Sequence, residues 1–341
     1  MDLLPTSEQQ QIIDSAVAFI GDKLPLQRLK ALNRTPEVPS EDIWRSIADL
    51  GWFGLGVDPS AGGVGYGASE EILLFREMGR AVVAPRVLFT VVAAHAAAAA
   101  GDNGLVERII GGDVSAALAV RNVPRAAGTP ASDCRLYESS GAQVALLIDG
   151  DDVTLFDFAG ATPDVRPCMD TSIGMAVIAI DAMPVIARAS DARIGMRGAL
   201  LLAAYQVGLA ERATDMIVEY AKIRQTFGRF IGAYQAVRHP CAEMAVRAEE
   251  ARAQLFLASV AVADAMPDAA LQVAAARVLA EHAALQNSDD NIQLHGGIGV
   301  TEEFDAHFLM KRATVASQWF GDIRSHLDIV LNAPINVEGV S

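Results

Sequence analysis

The sequence predicts a mainly helical protein with a small β insert: an N-terminal helical domain, a reduced middle β domain and a C-terminal antiparallel helical bundle. Apolar residues recur at three- and four-residue intervals through roughly the first 110 positions. Short apolar runs bounded by Asp, Gly and Pro occupy about the next 75. Three long helical patterns and a shorter pair fill the remainder. The composition shifts place the boundaries at 1–112, 113–188 and 189–341.

Taken in order, Thr6 or Ser7 is suited to cap a helix running to about Asp22, with Ile12, Ile13, Ala16 and Phe19 on one face. Ser40 precedes a second helix, 41–50, which stops at Gly51. The glycine-dense loop Gly62-Gly63-Val64-Gly65-Tyr66-Gly67 has no neighbouring lysine and no strand before it, so it reads as a turn-rich connection and not as a phosphate loop. Ser69 is the expected cap of a third helix. The run from Val82 to Ala100 is long and apolar but contains Pro85, Arg86 and His95 and is mostly alanine, which suits a buried helix and no membrane span. A short helix from Leu105 to Ile110 closes this part.

Strands are expected at Ser115 to Val120, Gln143 to Ile148, Val153 to Phe158 and Met175 to Ile180, with Asp149-Gly150-Asp151-Asp152 as a hairpin turn. After Pro184 the pattern is helical: 195–223, 233–265 with Pro240 near its start, 268–294, 305–319 and 322–331.

With 52% hydrophobic and 20% charged residues over 341 positions, the chain has material for a large soluble core. Its formal charge of -15 excludes nucleic acid as an expected partner, since that requires clustered cations. A small polyanion remains compatible if Lys222, Arg224 and Arg229 converge. Cys134, Cys168 and Cys241 have no metal-like spacing and are odd in number, as expected of reduced thiols in the cytoplasm. The N-terminus lacks the pattern of a secretory signal.

Two segments carry chemistry. Arg224-Gln-Thr-Phe-Gly-Arg-Phe-Ile-Gly-Ala-Tyr-Gln235 joins two long helical patterns. Arg224 is able to fork onto phosphate oxygens, Phe227 to lie along a flat ring, and Gly228 and Gly232 to admit close backbone approach. An ordinary helix hairpin with an exposed arginine explains the stretch equally well. The second segment, Gln293-Leu-His-Gly-Gly-Ile-Gly299, ends a helix with accessible backbone groups beside a glutamine. His295 reads as a satisfied histidine, because no second metal ligand lies at ligand spacing.

Together these segments resemble the C-terminal domain of acyl-CoA dehydrogenases. Gly51-Trp-Phe-Gly-Leu-Gly, Gly62-Gly-Val-Gly-Tyr-Gly and Glu77-Met-Gly-Arg are similar to that family's N-terminal helical domain, and the helical, β and helical sections come in the family's order. The resemblance covers nearly the whole chain and implies an acyl-CoA dehydrogenase-like fold with FAD as cofactor. It implies FAD contacts for Arg224, Thr226, Phe227, Gln235, Gln293, Gly296 and Gly297, made across a subunit interface to FAD held mainly by a neighbour.

The family removes a Cα proton with a glutamate while the Cβ hydrogen leaves as hydride to the flavin. Counted without gaps from Leu309-Met-Lys311, the base position of many members is Phe320 here, in Trp319-Phe-Gly-Asp322. A second group of members places the base where this chain has Met196-Arg197-Gly198. Asp322 is the nearest carboxylate, and it stands where an N-cap belongs. The family's Thr-Glu-Pro segment has no clear counterpart between Val120 and Asp133, and a Trp-Ile-Thr strand is also missing. Some family members are α2β2 heteromers in which a full-length subunit supplies base and flavin cradle, several acting on acyl-CoA thioesters of bulky substrates including steroid side chains. The expectation is therefore the short, non-basic subunit of such an enzyme, with no catalytic residue of its own, inactive alone and completing a larger partner's FAD site. The alternatives are a homomeric flavoenzyme using Asp322, or a flavin-free scaffold.

Overall fold

A computed structural model describes residues 5–121 and 133–334. The N-terminal part contains α1 (Ser7–Lys23), α2 (Arg28–Ala31), α3 (Glu41–Asp49), α4 (Ala68–Arg80), α5 (Arg86–Ala99) and α6 (Asn103–Ile110). Thr6 and Gln9 close a capping box on α1, and Ser40 caps α3, which ends at Gly51 in the left-handed region. The expected Ser69 cap is corrected: α4 starts two residues earlier, with Gly67 as N-cap and the Glu70 carboxylate accepting from its backbone N–H at 2.8 Å.

The middle sheet contains β1 (Ala116–Arg121), β2 (Asp133–Tyr137), β3 (Val144–Asp149), β4 (Asp152–Asp157), β5 (Asp164–Arg166), β6 (Met175–Ala179) and β7 (Val185–Ser190), in spatial order β5-β6-β2-β1-β3-β4-β7. The β3–β4 hairpin turns at Gly150, as expected, with Asp149 opposite Asp152. Three strands escaped the sequence reading. β7 lies where helix was expected after Pro184, and its alternating, half-exposed pattern pairs it with β4 at the sheet edge. Period-two alternation divides the sheet's apolar residues. Leu118, Leu146 and Leu155 face the main core, while Ala119, Leu147 and Phe156 build a smaller core on the outer face. The apolar run expected as a buried helix is α5, wedged against β1 on one side and the bundle on the other.

The bundle is α7 (Ala192–Ile223), α8 (Gln235–Ala263), α9 (Ala269–His295), α10 (Ala306–Ala316) and α11 (Ile323–Asn332), with a two-residue-stranded hairpin, β8 (Gln225–Thr226) and β9 (Arg229–Phe230), between α7 and α8. Helices α7 and α9 run parallel, because Arg277 meets Gln206, Asn287 meets Thr214 and Asn291 meets Met216 in ascending order. The Glu77-Met-Gly-Arg motif is a packing device. A side chain at Gly79 would overlap the Tyr205 carbonyl and one at Gly208 the Arg76 carbonyl, so α4 and α7 touch backbone to backbone. Arg76 and Arg80 then reach Glu211 at 2.9 and 3.1 Å. Arg312 of α10 ties the three parts together, fully buried, donating to Asp170 at 2.6 Å, Ser172 at 3.0 Å and the Val83 carbonyl at 2.8 Å. Among the described residues no helix is long and apolar enough to cross a membrane.

Candidate cofactor corner and the closed base position

The Arg224 and Gln293 segments meet at one end of the bundle. The Tyr220 ring lies 4.5 Å from His295, one turn before Arg224 on α7 and at the end of α9. Arg224 is the C-cap of α7, and its carbonyl accepts from Ile231 at 2.9 Å, folding the hairpin back on the helix. Phe227 and Gly228 both have positive φ, +50° and +78°, as a tight two-residue hairpin turn requires. That conformation costs a phenylalanine about 1–2 kcal/mol, and the ring gains no packing in return, being 93% exposed. Tyr234 closes the hairpin by donating to the Thr226 carbonyl at 2.9 Å, with the Arg229 guanidinium 5.6 Å above its ring. Gln235 is the first residue of α8.

Lys222, Arg224, Arg229 and Arg238 cluster here, and none has a carboxylate within ion-pair distance among the described residues. On a chain of charge -15, most of whose arginines are paired, an unpaired cluster fits an anion. Gln293 is exposed, and a side chain added at Gly296 or Gly297 would meet nothing within 4 Å, so this turn is open to approach. The corner therefore has the charge and the openness to hold a pyrophosphate such as that of FAD. His295 is no ligand: its ring is packed by Tyr220 and Phe304, its Nδ1–H donates to the Asn291 carbonyl at 2.7 Å, and burial holds its pKa below the usual value. No group of three metal-ligating side chains occurs among the described residues.

The opposite end holds a cavity of about 610 Å³ between the sheet (Leu118, Val120, Ile148), the start of α7 (Gly195, Met196) and the Phe320–Asp322 turn. At about 1.5 Å per residue, Met196 and Arg224 stand about 40 Å apart along α7. One cofactor molecule cannot touch both. The segment in which a Thr-Glu-Pro motif is missing falls largely at 122–132, outside the described residues.

The two base positions named by the resemblance come together at this end, and neither offers a carboxylate. The Phe320 ring lies over Gly198 so closely that a Cβ there would be 2.5 Å from it. Phe89 stands 6.1 Å from Phe320 and 5.1 Å from Trp319, and Tyr137 of β2 meets Trp319 edge to face at 5.7 Å. Phe320 has φ +51° and its carbonyl accepts from His326 Nε2 at 3.1 Å. His326 is kept neutral, pushed down to about 4 by burial and by Arg277. Arg197 pairs with Glu71, which also meets His95 at 2.8 Å. Burial raises the Glu71 pKa, but His95 and Arg197 outweigh it and hold the carboxylate below its ordinary range. Asp322 caps α11, accepting from the Ser325 N–H at 2.9 Å.

A helical cap, a mixed sheet wedged on one buried helix and an up-down bundle with a cationic corner follow the helical, β and helical order that the resemblance implies. Family models agree: the acyl-CoA dehydrogenase N-terminal domain matches residues 6–110 and the C-terminal domain residues 195–333. The chain belongs to the acyl-CoA dehydrogenase family, whose cofactor is FAD. It is 32% identical over 293 residues to acyl-CoA dehydrogenase FadE34 of Mycobacterium tuberculosis, covering 81% of this chain but 40% of that protein. It is 27% identical over 324 residues to acyl-CoA dehydrogenase IpdE2 of Mycolicibacterium smegmatis, covering 94% and 97%. A variant of the Tcur3481-Tcur3483 steroid ACAD is similar in structure, with a TM-score of 0.81, 26% identity and coverage of 95% and 96%.

Proposed function

We propose that this chain is the subunit without a base in a heteromeric, FAD-dependent acyl-CoA dehydrogenase, and that its corner completes a flavin site on a larger partner subunit. The observation that carries the reading is the contact of Phe320 with Gly198, where an aromatic ring fills the space a glutamate would need. The remote corner supports it, since residues about 40 Å from the chain's own cavity can serve only a cofactor held elsewhere. In this reading Arg224 forks onto the pyrophosphate, Phe227 and Thr226 flank the cofactor, and Gln235, Gln293, Gly296 and Gly297 meet its adenosine part. Bound FAD supplies the hydride acceptor for α,β-dehydrogenation of the thioester. The partner supplies the base, and an α2β2 assembly follows from the pairing. The substrate is the acyl-CoA thioester of a bulky acid, with a steroid side chain favoured by the likeness to the Tcur3481-Tcur3483 steroid ACAD.

The test is the visible spectrum and turnover of the chain alone and with its partner. The chain alone is expected to carry little FAD and no activity, and the complex to be yellow and active. Arg224→Ala should lower flavin affinity in the complex by about ten- to a hundredfold, the range of a lost charge-assisted hydrogen bond. Full flavin occupancy together with turnover by the lone chain sinks the reading.

A further inference from the structure

A second cavity, of about 790 Å³, opens where the α2–α3 connection crosses the middle sheet. Strand β3 begins beside it, after Gly141 and Ala142, and runs to the closed cavity at Ile148 and Gly150. The two cavities therefore lie at opposite ends of one strand, about 20 Å apart. The walls are held in place from behind. Arg28 grips the Glu37 carboxylate at 2.7 and 3.1 Å, and the Glu37 N–H donates to the Ser172 carbonyl at 2.8 Å. The Glu138 N–H donates to the Gly174 carbonyl at 2.7 Å, and buried Arg86 donates to the Glu138 and Ser140 carbonyls. Asn33, Arg34 and Glu138 keep φ of +46°, +63° and +60° around this one cavity, strained backbone of the kind that collects at ligand clamps.

The lining selects the occupant. Pro36, Phe158, Val165, Ile173 and Met175 give apolar walls. Arg34 and Arg166 are the only charged lining residues among the described residues, on a chain of net charge -15. Each guanidinium is more than half exposed and pairs through one nitrogen, Arg34 with Glu302 and Arg166 with Asp164. Exposed pairs of this kind hold weakly, and the remaining N–H groups of each fork are left to a second anion. Ser139, Ser140 and Thr171 complete the lining, and among the described residues their hydroxyls have no hydrogen-bond partner. A cavity of this size and mixed lining suits a small organic molecule. We infer that it binds a free carboxylic acid with a bulky apolar body. Arg34 and Arg166 hold the carboxylate, the walls take the body, and the three hydroxyls meet its oxygen substituents. An inorganic or nucleotide phosphate would leave the apolar walls unused. The site is separate from the heteromer reading, since every lining residue belongs to the N-terminal or middle part.

Cys168 reports occupancy, because it lines this cavity and is half-buried, whereas Cys241 lies on the bundle and serves as the control. The probe is deoxycholate, a steroid carboxylate, kept below its micelle concentration. On the full chain it should slow alkylation of Cys168 by N-ethylmaleimide at least tenfold and leave Cys241 unchanged. The methyl ester of deoxycholate, which lacks the charge, should bind at least tenfold more weakly; this arm needs no variant. The exposed double variant R34A/R166A should also lose at least tenfold in affinity for deoxycholate, with the Cys241 rate unchanged. The inference is overturned if Cys168 reacts at its free rate in saturating probe, if both cysteines are protected alike, or if ester or double variant binds as tightly as the original pair. Protection of Cys168 by inorganic phosphate or by coenzyme A also overturns it, in favour of a phosphate site. Flavin content and turnover of the complex decide the heteromer reading instead, and their outcome leaves this one untouched.

Discussion

Phe227 and Phe320 have nearly the same unusual backbone, φ +50° and +51°, each followed by a glycine of positive φ, and their side chains have opposite fates. Phe227 stands in solvent at the open, cationic end of the bundle. Phe320 lies on Gly198 beneath Phe89 and beside Trp319, at the closed end. Strain in a bulky residue persists only where something else holds it. At Phe320 packing within the chain supplies that support. At Phe227 the paired strands of the hairpin and the Tyr234 bond to the Thr226 carbonyl hold the backbone, while the ring itself packs on nothing. Similar local geometry thus carries a packed wall at one end and, at the other, a solvent-facing ring for which we propose flavin contact.

Glycine substitution at the two positions breaks or sharpens this contrast most strongly. Phe320→Gly removes a packed ring, a loss of about 3 kcal/mol, against which relief of the left-handed strain returns about 1 kcal/mol. Phe227→Gly relieves the same strain and loses no packing, so it should raise stability by about 1 kcal/mol while weakening flavin binding in the complex. Urea unfolding of both variants measures the difference. Equal signs at the two positions would remove the distinction.

The closed end is also where protonation matters. Glu138 follows Tyr137 at the end of β2, is buried and has φ +60°. Neither carboxylate oxygen has a hydrogen-bond partner, although Arg86 Nε is 3.5 Å away. Burial pushes its pKa up from 4.5 to about 7, against the pull of Arg86 and Arg312. A carboxyl whose folded pKa exceeds its unfolded value binds its proton more tightly when folded. Its contribution is therefore complete below pH 4.5 and lost as pH rises through about 7. The loss is on the order of 3 kcal/mol at about 1.4 kcal/mol per pH unit. Wild-type stability should fall between about pH 4.5 and 7, and Glu138→Gln should flatten that slope. Thermal unfolding across the pH range checks it; a variant with an unchanged slope would assign the titration to another group.

How much of this was legible in the sequence depended on the range of the interactions. Local signals were read well: Ser40 and Asp322 as caps, the turn at Gly150, the helix α5 and the bundle helices. The Arg224 and Gln293 segments stood out because their residue types suit a ligand better than a plain corner. Strand β7 was missed because an edge strand, half-exposed on both faces, lacks the apolar run that betrays a central one. Strand β5, fully exposed, gives less signal still. The Arg312–Asp170 pair spans 142 residues and the Arg197–Glu71 pair 126, and neither leaves a local pattern. The fit of Phe320 to Gly198 likewise joins positions far apart in the sequence and leaves no local pattern.

The smallest effect decides the status of Asp322, the carboxylate on the wall of the closed cavity. Its side chain accepts from the Ser325 N–H and so stabilises the first turn of α11. Asparagine caps a helix about as well as aspartate, whereas alanine does not. Asp322→Asn should therefore change neither the stability nor the turnover of the complex, and Asp322→Ala should cost about 1 kcal/mol with turnover per folded complex unchanged. A base behaves in the opposite way, because the amide cannot accept the proton and the asparagine variant would be the inactive one. Loss of turnover in Asp322→Asn at unchanged flavin content would move the chemistry into this chain and end the contrast between its two ends.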